Sequence, residues 1–245
     1  MELKMKEKMV LAALALSGAA LAQTKAPEPD YTLSFNVGVV TDYRYRGISQ
    51  SHLNPALQGG ADFAHKSGFY LGAWGSTIKW IKDAGGDGPV EIDLYGGYKG
   101  TAGPVGYDVG VLRYQYPNHS LSLSPNTTEI YGAGTAGPVT LKYSHAVTNL
   151  FGFADSKNSY YLDGSASFDL GNGWSVVPHI GYQKVKNNSA FSYTDYAVTL
   201  AKDFGNGLLA TVAAVGTDAD DALYVTPAGK FTGKTALVLG LKYSF

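Results

Sequence analysis

The chain has 245 residues, of which 45% are hydrophobic, 13% aromatic and 16% charged, with 31 Gly, 18 Tyr, no Cys and a formal net charge of −1. The charge fraction lies well below the roughly 25% of an average soluble protein, yet a mean hydropathy of −0.07 is too low for a bundle of membrane helices. The lack of Cys excludes a disulfide framework or a Cys-ligated metal, the aromatic content excludes disorder, and the near-neutral charge leaves no footprint for nucleic acid.

The first segment reads as an address. Lys4, Lys6 and Lys8 precede an apolar run from Met9 to Leu16, and Ala20-Leu21-Ala22 fits a small-x-small cleavage site. A run this short, behind a basic start, is a secretory signal peptide over 1–22 rather than a membrane helix, which needs about 20 apolar residues. Residues 23–30, with two prolines, form a flexible lead, and 31–245 form the folded body.

Period-2 runs dominate that body. In 33–46, Leu33, Phe35, Val37, Val39, Tyr43 and Tyr45 alternate with Ser34, Asn36, Gly38, Asp42, Arg44 and Arg46. Similar runs cover 90–99, 161–170 and 235–245. Alternation of this length predicts strands with one apolar and one polar face. Turn signals fall near 67, 103, 137, 172 and 206, in steps of about 34–36 residues, and Thr-Ala-Gly-Pro-Val occurs at both 101–105 and 135–139. Longer polar stretches lie near 47–55, 80–89, 117–126, 148–158, 187–192 and 218–233. Asn-Gly and Gly-Pro suit tight hairpins, and the polar stretches suit loops. Five short turns and six long loops predict twelve antiparallel strands with all long loops at one end, the pattern of an all-β transmembrane up-and-down barrel. Pro178, inside a predicted strand, has no N–H to donate and predicts a bulge or local break.

Aromatic residues cluster at the strand ends. Tyr43, Tyr45, Trp80, Tyr116 and Tyr160 flank the long loops, and Phe69, Tyr98, Tyr107, Phe168, Trp174, Phe204 and Tyr243 flank the short turns. Two such belts are expected at the two lipid interfaces. The chain ends in Phe245, with Tyr243, Leu241, Leu239 and Leu237 at alternate positions before it. Leu241, Tyr243 and Phe245 resemble the terminal-strand signature by which outer-membrane barrels are assembled. This implies the barrel-assembly machinery, outer-membrane lipid and lipopolysaccharide as partners.

Three stretches carry a family resemblance: Asn36 to Gln50 (NVGVVTDYRYRGISQ), Pro55 to Gly60 (PALQGG) and Gly68 to Ser76 (GFYLGAWGS). They resemble the TorF-type porins of proteobacteria, a family otherwise of unknown function, most strongly over about 33–100. The resemblance implies an outer-membrane barrel with a pore and supplies no substrate and no catalytic residue.

The polar faces hold the candidate site. Arg or Lys facing lipid at midplane costs about 2–4 kcal/mol, so the alternation turns Asp42, Arg44, Arg46, Glu91, Asp93, Lys99, Lys142, Asp163, His179 and Lys242 into the lumen, along with Asp169, Asp195 and Asp203. Opposing charges across a lumen would select solutes by size and sign; in a closed lumen the same pairs would only fill it. Gly and Ser at many inward positions favour open volume. The formal GxGxxG match at 132–137 runs into Pro138 and a strand, not the helix that a dinucleotide site needs. His119-Ser120 and Ser144-His145 are adjacent pairs whose members point to opposite faces of a strand, unlike a nucleophile-base couple. Asp218, Asp220 and Asp221 lack the Gly and Glu of an EF-hand loop.

The expectation is a channel in a Gram-negative outer membrane for passive diffusion of small hydrophilic solutes, with both termini in the periplasm and no cofactor, metal or reaction. Slightly more acid than base faces inward, which tilts it towards cations. Its alternatives are a non-conducting scaffold or adhesin acting through the long loops, and an outer-membrane hydrolase. The sequence leaves the oligomeric state open.

Overall fold

The computed structural model describes residues 29–245. The signal-peptide segment and most of the lead lie outside these residues. Twelve strands follow one another around a closed barrel: β1 (Tyr31–Val40), β2 (Ala56–His65), β3 (Phe69–Thr77), β4 (Val90–Ala102), β5 (Val105–Gln115), β6 (Thr127–Ala136), β7 (Val139–Ala146), β8 (Tyr160–Ala166, continued by Phe168–Gly171), β9 (Trp174–Lys184), β10 (Tyr193–Asp203), β11 (Leu208–Thr217) and β12 (Ala236–Ser244). Each pairs antiparallel with the next, and β12 pairs antiparallel with β1. No edge is left open, so the ladder satisfies the backbone groups that lipid cannot.

The seam closes on the last residue. Val37 faces Tyr243 and Val39 faces Leu241 in register. Phe35 N–H donates to the Phe245 carbonyl at 2.8 Å, and Phe245 N–H donates back at 2.9 Å. Their rings stack at 5.9 Å. Both ends of the described residues therefore stand at the short-turn end.

The turns sit where the sequence signals placed them. At Asn172-Gly173 and Asn206-Gly207 all four residues have positive φ, from 51° to 84°. Asn and Gly enter that region at the least steric cost, which suits a hairpin whose twist matches its strands.

The outer surface is the reverse of a soluble protein's. Leu33, Leu57, Leu71, Leu141, Ile180 and Leu237 point out and are between 57% and 71% exposed. In water such a band would be an aggregation hazard; around a closed barrel it is the lipid face. No helix among the described residues is long and apolar enough to cross a membrane.

Two expectations need correction. At the short-turn end Phe69, Phe168, Trp174, Phe204 and Tyr243 are exposed and form the anticipated belt, with Tyr98 and Tyr107 half-buried. At the other end Tyr43 and Tyr116 are buried, and Tyr45 and Trp80 are half-buried, so these four leave the outer belt, while Tyr160 stays on the outer face beside Tyr143 and Tyr182. The segments 41–55 and 78–89 fold back into the barrel mouth and carry these rings inside. There Trp80 meets Tyr116 edge-on at 5.0 Å and Tyr43 meets Trp74 at 5.4 Å. Burial of large rings against one another outweighs what an interfacial position offers them. The second correction concerns Pro178, which pairs with Val198 in unbroken register. The break falls on the neighbour: β8 is interrupted at Ser167, in the stretch that faces Pro178.

Candidate functional site

The inner wall is built from a repeated device. Tyr95 on β4 donates to Asp62 on β2 at 2.6 Å, Tyr70 on β3 to Asp108 on β5 at 2.5 Å, and Tyr161 on β8 to Asp195 on β10 at 2.9 Å. Each ring reaches two strands over and lies across a glycine of the strand between: Gly72, Gly97 and Gly181 respectively. A Cβ at any of the three would collide with the tyrosine. Inward glycines are therefore seats for rings rather than open volume. Tyr43 to Glu91 at 2.6 Å and Tyr114 to Glu129 at 3.3 Å repeat the tyrosine–carboxylate pairing nearer the long-loop end.

Segment 41–55 crosses this wall. The first strand ends at Val40, so Arg44 and Arg46 are not on its polar face as the alternation implied. They belong to a small ribbon, Arg44–Tyr45 paired with Ile48–Ser49. Its tip, Arg46-Gly47, has φ of 46° and 79°. A Cβ on Gly47 would come within 2.7 Å of the Asp195 Cβ, so the tip touches the far wall. Arg46 is held from several sides. Nη2 lies 2.7 Å from Glu129 Oε2, Nη1 donates to Gln183 Oε1 at 2.5 Å, and the guanidinium stands 4.2 Å over the Tyr161 ring. Arg44 bridges Asp42 to the carbonyls of Gly47 and Thr232. Asp42 also accepts from Ser49 at 2.5 Å and Ser51 at 3.1 Å. The segment is thus braced internally and pinned to the opposite wall by a charged fork.

Two cavities lie inside the barrel. One of about 750 Å³ is lined by Asp62, Tyr70, Tyr95, Lys99, Asp108 and Tyr131, among others. The second, of about 510 Å³, is lined by Arg46, Tyr161, Asp163, His179 and Asp195. Asp93, Leu112 and Lys142 line both. On the outer side of segment 41–55 is a third cavity of about 310 Å³, lined by Trp80, Tyr116, Phe151, Tyr193 and Tyr224. Tyr45 borders both this vestibule and the 510 Å³ cavity, so the segment is the partition between them. Lys99 and Lys242, towards the short-turn end, are solvent-exposed.

Residues 24–245 match a single protein family. The chain belongs to Gcw_chp, bacterial proteins of unknown function. No curated protein matches this Gcw_chp sequence. Among solved structures, the barrel is similar to the KdgM porin, with a TM-score of 0.58, 11% identity, and coverage of 86% of this chain and 99% of that one. A KdgM porin in complex with disordered oligogalacturonate aligns at a TM-score of 0.56 and 11% identity, over 87% and 98% of the two chains. The NanC porin aligns at 0.55 and 11% identity, over 86% and 99%. These likenesses show that the Gcw_chp chain shares the closed antiparallel β-barrel fold of those porins.

The remaining predicted positions of the Gcw_chp barrel fall as follows. Glu91 and Asp93 are buried in the wall, and neither Asp93 Oδ1 nor Glu129 Oε1 has a hydrogen-bond partner. His179 Nε2 lies 2.6 Å from Asp163 and Nδ1 3.6 Å from Asp195. Lys142 stands 4.2 Å over the Tyr131 ring and Lys99 4.8 Å over Tyr70. Lys242 lies opposite Gly38 at the short-turn end. Ser144 is buried in the wall, while the neighbouring His145 is half-buried and bonds Tyr143 and Asn158. The His119 ring accepts from the Leu121 backbone N–H, and the close Ser67–His65 contact sits on an exposed short turn at the opposite end. Among the described residues no three His, Asp or Glu side chains are placed to hold a metal ion. Outside the strands, Tyr224 donates to the Phe191 carbonyl at 2.7 Å, and burial pushes its phenol above the ordinary range.

Glu129, Gln183 and the tyrosines of the wall were missed as site residues from sequence. Their signal was available only as Tyr and Gly on alternate inward positions of different strands, with nothing local to join them.

Proposed function

We propose that this Gcw_chp protein is an outer-membrane channel for passive diffusion of small hydrophilic solutes, narrowed at its outer end by segment 41–55. The observation that carries the reading is the pair of cavities, about 750 and 510 Å³, that share Asp93, Leu112 and Lys142 and are lined by further charged side chains, Asp62, Lys99 and Asp108 in one and Arg46, Asp163 and Asp195 in the other. A barrel meant only as a scaffold gains nothing from unpartnered buried carboxylate oxygens, which cost stability when left dry. The selectivity-bearing residues in this reading are Asp42, Arg44, Arg46, Glu91, Asp93, Lys99, Lys142, Asp163, His179 and Lys242, acting as fixed charges along the path. The finer affiliation with TorF-type porins, on the stretches within 36–76, belongs to the same proposal. So does assembly through Leu241, Tyr243 and Phe245, which the doubly bonded seam at Phe35 supports. Entry would follow a signal peptide at 1–22. No reaction enters the mechanism.

One similar porin is described with oligogalacturonate. A small hydrophilic solute of that general kind suits the size of the cavities here, while the charge of the solute is a separate matter. A second reading, a plugged barrel acting through its loops, is favoured by the apolar cluster that fills the outer mouth around Ile81, Tyr43 and Tyr116. Planar-bilayer conductance of the refolded chain, with folding checked by heat-dependent gel mobility, separates the two. Discrete channels with a salt-gradient reversal potential support diffusion; a folded barrel silent over a wide voltage range supports the plug.

A further inference from the structure

We propose that the lumen is a path for small organic cations, solutes carrying an ammonium or guanidinium group. This rests on the diffusion reading above. Its first support is the charge balance around the two inner cavities. Asp62, Asp93, Asp108, Asp163 and Asp195 all line them. The arginines there add little net charge, because Arg44 is neutralised by Asp42 and Arg46 by Glu129. Lys99 and Lys142 remain, with His179 shared between Asp163 and Asp195. Fixed charges within a Debye length of one another, about 10 Å at 0.1 M salt, act together on an ion between them, and here their sum is negative.

The second support is independent of charge counting. The chain's own cations inside the barrel rest on tyrosine faces: Lys99 on Tyr70, Lys142 on Tyr131 and Arg46 on Tyr161. Each of these three sites is a worked example of ammonium or guanidinium recognition by a ring quadrupole. In two of the three the ring's own hydroxyl donates to a carboxylate, Asp108 or Asp195, so ring and carboxylate are held side by side. Such a pair offers a passing organic cation a face for its alkyl part and an acceptor for its N–H groups. Asp93 Oδ1, buried at the junction of the two cavities, accepts no hydrogen bond from the protein. A solute N–H donor would supply its partner. A solute carboxylate would meet the same oxygen as a repulsion.

The test is ion permeability in planar bilayers, on the wild-type barrel and on Arg46→Ala, so that a closed segment 41–55 does not hide the lumen. Reversal potentials are measured first in a potassium chloride gradient, then with ethylammonium or guanidinium chloride on one side, then with potassium glutamate. The expected cation-to-chloride permeability ratio is roughly five or more, from fixed charges acting within a Debye length. Ethylammonium and guanidinium should pass at least as well as potassium. Asp62→Asn with Asp108→Asn should lower the cation-to-chloride ratio by roughly threefold, because two of the charges that set it are gone. Tyr70→Leu with Tyr131→Leu should lower the organic-cation-to-potassium ratio while leaving potassium favoured over chloride. Channels that prefer chloride or glutamate, or that pass potassium freely and exclude ethylammonium and guanidinium, overturn this proposal and leave the diffusion reading standing. Folded barrels of both proteins that never conduct overturn both.

Discussion

Arg46→Ala is the sharpest perturbation of this barrel, because one side chain fastens segment 41–55 to the far wall. The guanidinium contributes the 2.7 Å pair with Glu129, the 2.5 Å bond to Gln183 and the stack on Tyr161. Removing one partner of a buried ion pair costs about 3–5 kcal/mol, since the remaining charge loses its compensation. Glu129 would be left with only the 3.3 Å bond from Tyr114 to Oε2, as Oε1 already lacks a partner. The barrel itself is held by twelve ladders that do not involve Arg46, so the loss falls on the inserted position of the segment. At about 1.4 kcal/mol per tenfold, the inserted position loses roughly two to three and a half decades of population against the withdrawn one. Single-channel recording should show longer openings or a larger main conductance for Arg46→Ala than for wild type. Arg46→Lys keeps the charge and loses the planar fork, so it should fall between the two. Heat-dependent mobility should be unchanged in all three. Equal conductance and equal open fraction in folded Arg46→Ala and wild type would show that segment 41–55 is not the partition, whatever its contacts.

Other perturbations test other parts of the argument. Gly181→Val forces the Tyr161 ring off its seat and should destabilise the barrel by about 1–3 kcal/mol, as overpacking does; a shift to lower temperature of the heat-modified gel band would register it, and no shift would mean the ring has room to move. Leu141→Arg, on a side chain 66% exposed to the lipid side, should cost about 2–4 kcal/mol near midplane, whereas Ser165→Arg on the inward face of the adjoining strand should fold in good yield; equal yields in liposome refolding would undo the assignment of faces. Deleting Phe245 removes both hydrogen bonds to Phe35 and the ring stack, and should slow insertion by the assembly machinery; a normal insertion rate would remove Phe245 from the assembly signal.

Much of the barrel is legible in the sequence because its rules are local. Side-chain alternation has a period of two residues, and a hairpin needs only a few residues of the right φ tolerance. Strand count, the five short turns at 66–68, 103–104, 137–138, 172–173 and 204–207, the lipid face and the inward direction of Glu91, Asp93, Lys142 and Asp163 all follow from stretches shorter than a dozen residues. Pro178 shows the limit of this even at short range: its missing N–H is felt by β8, across the ladder, rather than by its own strand.

What the chain does at its outer end depends on partners that no local pattern connects. Arg46 meets residues 83 and 137 positions away, and Tyr95 meets one 33 positions away, over a glycine on the strand between. The run from Leu33 to Arg46 keeps its alternation on both sides of a single irregularity at Val40-Thr41, and that local signal gives no sign that the following residues form a ribbon turned inward. Tyr43, Tyr45, Trp80 and Tyr116 have the composition of an interfacial belt, and only the mutual burial available inside the mouth draws them away from lipid. Periodicity assigns a side chain to a face; whether that face meets water, a ring or a returning loop is set by chain segments far apart in sequence, which closure of the barrel brings within a few ångströms of each other.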